Sequence, residues 1–133
     1  MLAQLAMLTG EEAYQGRAEA ILETFSGEIG RNFFPLATLL NNVEVLIKPV
    51  QIVLAGQSGT PAFEALRRAV YDVSLPNRVV FYLSQEGSLP SSHPAFGKGP
   101  VDGKPTAYVC EGVVCSLPVT DPQTLLESLA GVR

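Results

Sequence analysis

The sequence predicts an α/β fold of the α+β kind: N-terminal amphipathic helices, then a βαβ unit and a ββα unit sharing one mixed four-stranded sheet. Three observations carry this. Apolar residues recur at spacings of three and four as far as Ile47, and then give way to short β-branched runs. Between the runs Val50–Ala55 and Arg78–Leu83 lies one helical pattern opened by Thr60-Pro61. From Gly103 onward the chain reads as proline, strand, tight turn, strand and capped helix.

The helical half comes first. Thr9-Gly10 breaks a short apolar helix, and Glu11 and Glu12 stand where the positive end of the next helix dipole lies. Tyr14, Ala18, Ile21, Phe25 and Ile29 then form one stripe, with Arg17, Glu19 and Glu23 off it. Gly16 and Gly27 weaken this helix, each by up to about 1 kcal/mol relative to Ala. A third helix is expected from Pro35, with Leu36, Leu39, Leu40, Val43 and Ile47 as its stripe and Pro49 as its end. Helices of this length cannot bury their stripes alone, so they must pack on one another and on a partner surface.

The second half changes period. Val50–Ala55, closed by Gly56, reads as a buried strand. Thr60 is an N-cap with proline at the first helical position, and Phe63, Leu66, Val70 and Val73 mark the buried face of a helix ending near Leu75-Pro76. Strand, helix and strand within about 35 residues make a βαβ unit with a right-handed crossover. Gly87 to Lys104 is long for a structureless loop and is expected to be mobile or laid over another surface. Thr106–Cys110 and Val113–Val119 are the next strands, around a Glu111-Gly112 turn. Thr120-Asp121-Pro122-Gln123 has capping-box spacing, and the last helix buries Leu125, Leu126, Leu129 and Val132.

Composition excludes several functions. The 133 residues allow one domain, or a small domain with a helical appendage, and can bury roughly two thirds of the unfolded surface. Hydrophobic residues make up 47% and charged residues 17%, slightly greasy for a free-standing domain, so some apolar surface is expected to be covered by something else. The net charge is −4 with nine Lys and Arg and no basic run, which disfavours nucleic acid as a partner. No apolar stretch reaches the roughly 20 residues of a membrane span. The apolar start has no basic n-region and no small-residue cleavage site, so no signal peptide is expected; with two cysteines, a reducing cytoplasm is the expected compartment.

The order βαβ, proline, ββα resembles the thioredoxin core, with Lys104-Pro105-Thr106 where that fold has its proline before the third strand. Its reactive thiol pair would fall in Gly56-Gln57-Ser58-Gly59-Thr60, which contains no sulfur. The resemblance therefore implies a redox-dead relative, because disulfide exchange requires a thiolate. Leu5-Ala-Met-Leu-Thr-Gly-Glu-Glu-Ala-Tyr, Leu75-Pro-Asn-Arg-Val, Val101-Asp-Gly-Lys-Pro-Thr-Ala-Tyr-Val-Cys and Pro118-Val-Thr-Asp-Pro are similar to the C-terminal end of the spermatogenesis-associated, YyaL-like thioredoxin-domain proteins. That likeness implies a much longer parent: an N-terminal thioredoxin-like domain, a middle α/α toroid of the six-hairpin glycosidase kind, and a C-terminal α/β segment. Residues 1–47 would then be the last toroid helices and 50–133 the terminal domain. No family catalytic residue carries over onto this numbering.

Few residues here carry chemistry. Cys110 and Cys115 lie across the expected hairpin. A two-residue Glu111-Gly112 turn sets them diagonally, whereas a four-residue loop sets the sulfurs opposite each other, within disulfide reach. A zinc site needs four ligands and His93 is the one further soft donor, so no metal is expected. Buried structural cysteines are the favoured reading. Gly56, Ser58, Gly59 and Thr60, at a strand-to-helix junction, could meet an anion, but the segment lacks a P-loop ending and a dinucleotide pattern; a turn plus N-cap suffices. His93 has no carboxylate near it in sequence except Asp102 and is expected to be a solvated loop histidine. Ser58 and Ser84 have no nucleophile-elbow context.

No cofactor and no catalytic residue is expected from this chain alone. The leading expectation is a non-catalytic accessory or interaction domain, its partners being upstream domains of a parent protein or a second copy. The alternative is a piece of a carbohydrate- or redox-active enzyme whose catalytic residues lie in upstream domains; a pocket joining Gly56–Thr60, His93 and Cys110 would favour it. A doubly wound nucleotide-binding fragment is a third, weaker reading, to be judged by strand directions.

Overall fold

A computed structural model describes residues 1–32, 34–84 and 89–132. Among these lie five α-helices and a mixed four-stranded sheet: α1 (Leu2–Thr9), α2 (Glu12–Arg31), α3 (Ala37–Ile47), β1 (Val50–Ala55), α4 (Pro61–Asp72), β2 (Arg78–Leu83), β3 (Thr106–Glu111), β4 (Val114–Cys115) and α5 (Pro122–Gly131). The strand order is β2-β1-β3-β4, with β2 parallel to β1, β3 antiparallel to β1, and β4 antiparallel to β3. A doubly wound sheet of parallel strands does not have these directions.

Strand β1 is central and buried along its whole length, and its period of two deals residues to two different cores. Val50, Ile52 and Leu54 face α4 and α5, where they meet Phe63, Leu66, Val70, Leu125 and Leu129. Val53 and Ala55 face the other way, toward Phe81, Leu83, Tyr108, Cys110, Ala3 of α1 and Val45 of α3. Helices α1 and α3 thus lie against the sheet.

Caps set the ends of α4 and α5. The Thr60 hydroxyl accepts from the Phe63 N–H at 3.3 Å. At the other end of α4, Arg78 donates to the carbonyls of Val70 and Val73, pairing acceptors the helix leaves open. At α5 the cap is Asp121, not Thr120: its carboxylate accepts from the Thr124 N–H at 2.8 Å, and Pro122 falls in the first turn, where a missing N–H costs nothing. Leu125 and Leu129 are fully buried.

Three other expectations shift. Pro35 belongs to a 3-10 turn, Phe34–Leu36, and α3 begins after it at Ala37. The buried residue of α3 is Val45, while Ile47, assigned to the stripe, is 78% exposed; the contact with the sheet, which sequence spacing does not encode, rotates the helix. In α2 Ala18 is buried, but Ile21 and Phe25 are each 42% exposed, so two of the five stripe residues are only partly covered by the described residues.

The segment expected as a loop from Gly87 to Lys104 is described from Leu89 onward, its first two residues lying outside the described set. It is laid over the second face of the sheet as a chain of tight turns: Pro90 to His93, His93 to Phe96 and Ala95 to Lys98 each close a backbone hydrogen bond. Leu89, His93 and Ala95 are buried under it, and the Tyr108 hydroxyl donates to the Gly99 carbonyl at 2.7 Å. Apolar residues on this face need cover, and α1, α3 and these turns supply it.

Candidate functional site

The turn after β1 carries four of the candidate residues. Gly56 has φ +145, and a Cβ there would lie 3.0 Å from the Cα of Pro105, so glycine is needed both for its backbone and for the close approach. Gly56, Gln57 and Thr60 share a cavity of about 320 Å³ with Pro100, Gly103 and Pro105. Ser58 lines a neighbouring cavity with Phe63, Tyr82 and Ser84. Thr60 spends its hydroxyl on the helix cap, while Gly59, at φ +84, serves the turn. Among the described residues no charged side chain lines either cavity.

Cys110 and Cys115 lie at the opposite end of β1, since Gln51 pairs with Cys110 while Ala55 pairs with Thr106. The hairpin turn is Gly112-Val113, one residue later than expected, with Glu111 paired to Val114. Gly112 has a positive φ and Val113 does not; a turn with glycine at its first central position matches the twist of the strands better than one with Glu111 there. Moving the turn by one residue puts Cys110 directly opposite Cys115, and the sulfurs are bonded, with the Cα atoms 3.9 Å apart. Of the two geometries open to the sequence the opposed one holds, reached with a two-residue turn. The two cysteines are thus joined as a disulfide and are not free thiols.

His93 corrects another expectation: it is only 4% exposed. The ring stands edge-on to Phe81 with centroids 5.1 Å apart, and Nδ1 accepts from the Ala95 N–H at 3.0 Å. With Nδ1 an acceptor, the neutral ring carries its proton on Nε2, which has no partner among the described residues. Burial pushes the imidazole below its ordinary value, which keeps it neutral. Asp102 is not its orienting partner: it occupies the tight turn closed by Val101 and Lys104, at φ +51.

Beside His93 lies a residue the candidate set did not include. Gln51 is 6% exposed, and its carbonyl oxygen likewise has no partner among the described residues. Both side chains line one cavity of about 380 Å³, with Glu11, Glu12 and Gln15 at the start of α2, Ser92, and the hairpin tip Gly112-Val113. The signal for Gln51 was legible: it is the one polar residue within an otherwise apolar strand. Gly56–Thr60 and His93 line separate cavities, at the two ends of β1. Among the described residues no group of three or more His, Cys, Asp or Glu is placed to hold a metal, and no helix is long and apolar enough to cross a membrane.

Comparison with known proteins places the chain. Spermatogenesis-associated protein 20 of Homo sapiens is 28% identical over 132 residues, covering 96% of this chain, and the proteins of that name from Rattus norvegicus and Mus musculus are each 26% identical over the same span. The chain is similar in sequence to these spermatogenesis-associated proteins. It spans 17% of the length of each. No protein-family profile matches the chain, and no solved structure matches it.

Proposed function

We propose that the chain is a non-catalytic α/β interaction domain of a longer protein, joined to upstream domains through the outer side of its N-terminal helices. The observation that carries this is uncovered apolar surface on these helices beside an apolar groove. Ile21 and Phe25 of α2, Phe34 before α3 and Ile47 at its end are all exposed, Phe34 to 81%. An apolar groove of about 270 Å³ runs between α1, α2 and α3, lined by Leu2, Ile21, Leu22 and Leu39. Exposed apolar residues beside an apolar groove mark a contact site.

Support for a thioredoxin-like origin comes from the strand order, from β3 running against its neighbours, and from Pro105 packed on Gly56. The turn where such a fold holds its thiols has none, and the cysteines present sit at the other end of the sheet, tied to one another. In this reading residues 1–47 are the end of a helical toroid and 50–133 the terminal domain. A cytoplasmic setting goes with it, which makes the hairpin disulfide the bond to watch, since most thiol pairs there are kept reduced.

The test is the surface itself. The chain on its own should self-associate in sedimentation and bind a hydrophobic dye, and the double variant Ile21→Glu, Phe25→Glu should lose both behaviours while keeping its melting temperature. A wild-type chain that stays monomeric at high concentration and leaves the dye dark would sink the reading.

A further inference from the structure

The cavity beside β1 has features that packing does not account for. Two side chains more than nine-tenths buried line it, and each has one polar atom with no partner among the described residues: Gln51 Oε1 and His93 Nε2. Leaving a buried donor or acceptor unpaired costs about 1–3 kcal/mol per group. An apolar residue at either position would avoid that cost, as the surrounding core does. The two atoms are also complementary. Neutral His93 offers an N–H, and Gln51 offers a carbonyl oxygen, so a group that both accepts and donates meets both needs.

The remaining lining states the charge of the occupant. Glu11, Glu12 and Gln15 stand at the start of α2, Ser92 adds a hydroxyl, and no Lys or Arg among the described residues lines the cavity. Two carboxylates with no cation disfavour an anion and favour a neutral or positively charged molecule. Ala3, Met7, Leu46 and Val113 supply apolar walls, and the volume of about 380 Å³ is that of a small-ligand pocket.

We propose that this cavity is a binding site for a small hydroxylated molecule, neutral or carrying an amine, whose hydroxyl accepts from His93 Nε2–H and donates to Gln51 Oε1. An amine on the same molecule is held by Glu11 and Glu12 at the rim. The Ser92–Pro94 turn and the Gly112-Val113 hairpin tip form two of the walls, so entry is between them.

Three probes of different charge test this at about pH 7: tris(hydroxymethyl)aminomethane, glycerol and glycerate. Nitrogen-15 spectra follow the His93 ring and the Gln51 side-chain amide. The hydroxylated amine should shift both signals saturably, in the millimolar range expected for so small a ligand. Glycerol should bind about threefold more weakly, the worth of an exposed ion pair, and glycerate more weakly still. Glu12→Gln, at an exposed position that leaves the core alone, should bring the amine down to the level of glycerol. His93→Phe should weaken every probe about tenfold, as loss of one buried hydrogen bond predicts, while melting no lower than the wild type. Ordered water alone in the cavity would leave His93 and Gln51 unmoved by any probe, and that result overturns the proposal. So does glycerate binding as well as the amine, or a His93→Phe variant that folds and binds all three unchanged.

Discussion

On the α4–α5 side of the sheet, Val50, Ile52, Leu54, Ala107 and Val109 meet Phe63, Leu66, Val70, Leu125 and Leu129. On the other side the cover is two short N-terminal helices and a chain of turns, and there lie the three buried polar side chains of the described residues, Gln51, His93 and Thr106. Thr106 is satisfied, donating to the Lys104 carbonyl and accepting from the Val101 N–H, whereas Gln51 and His93 each keep a polar atom unpaired. Under the binding proposal, the difference separates stability from binding within a single sheet. One face is packed with apolar side chains throughout, and the other carries two buried polar atoms without partners among the described residues.

The largest expected effect breaks or upholds this contrast directly. Leu66→Ala should cost about 2–5 kcal/mol, because a close-packed site relaxes little around the lost side chain. Leu89→Ala, the same deletion under the turns, should fall at the bottom of that range; urea unfolding midpoints with unchanged slopes measure both. Equal losses would mean that the two faces are packed alike. Next comes the Cys110–Cys115 bond: reduction, or replacement of both residues by alanine, should cost roughly 2 kcal/mol through the entropy of its short loop. Thr60→Ala should cost about 1 kcal/mol for the lost cap, seen as a lower melting temperature, and leave the His93 cavity unchanged.

The smallest effect sharpens the comparison most. Burial depresses the His93 imidazole, so in acid the unfolded chain takes up a proton before the folded one does. Stability should therefore be level above the ordinary imidazole value of about 6.5 and fall as the pH drops below it toward the folded value. His93→Phe should flatten that part of the profile. A wild-type profile with no such fall would show that the ring is hydrated in solution.

Much of the architecture was readable from residue types alone. Val50–Ala55 and Arg78–Leu83 are strands with the bounds their apolar runs indicate, and Thr60-Pro61 opens α4 where a cap and a first-turn proline must stand. Local chemistry decides these, since β-branched runs and caps act within a few residues. The hairpin was legible only to within one residue, and that residue mattered: it turned a diagonal cysteine pair into an opposed, bonded one.

The chain by itself determined the order of its elements, the buried faces of α4 and α5 and the absence of thiols from the turn after β1, because periodicity, capping and residue identity are local properties. Tertiary structure alone decided that α1 and α3 lie on the sheet, that the turns from Leu89 onward form a cover, and that His93 is buried and lines one cavity with Gln51. Those facts depend on bringing together residues far apart in sequence, such as Ala3, Val53 and Ala95 in one core, and no local pattern records which distant face a polar side chain will be folded against.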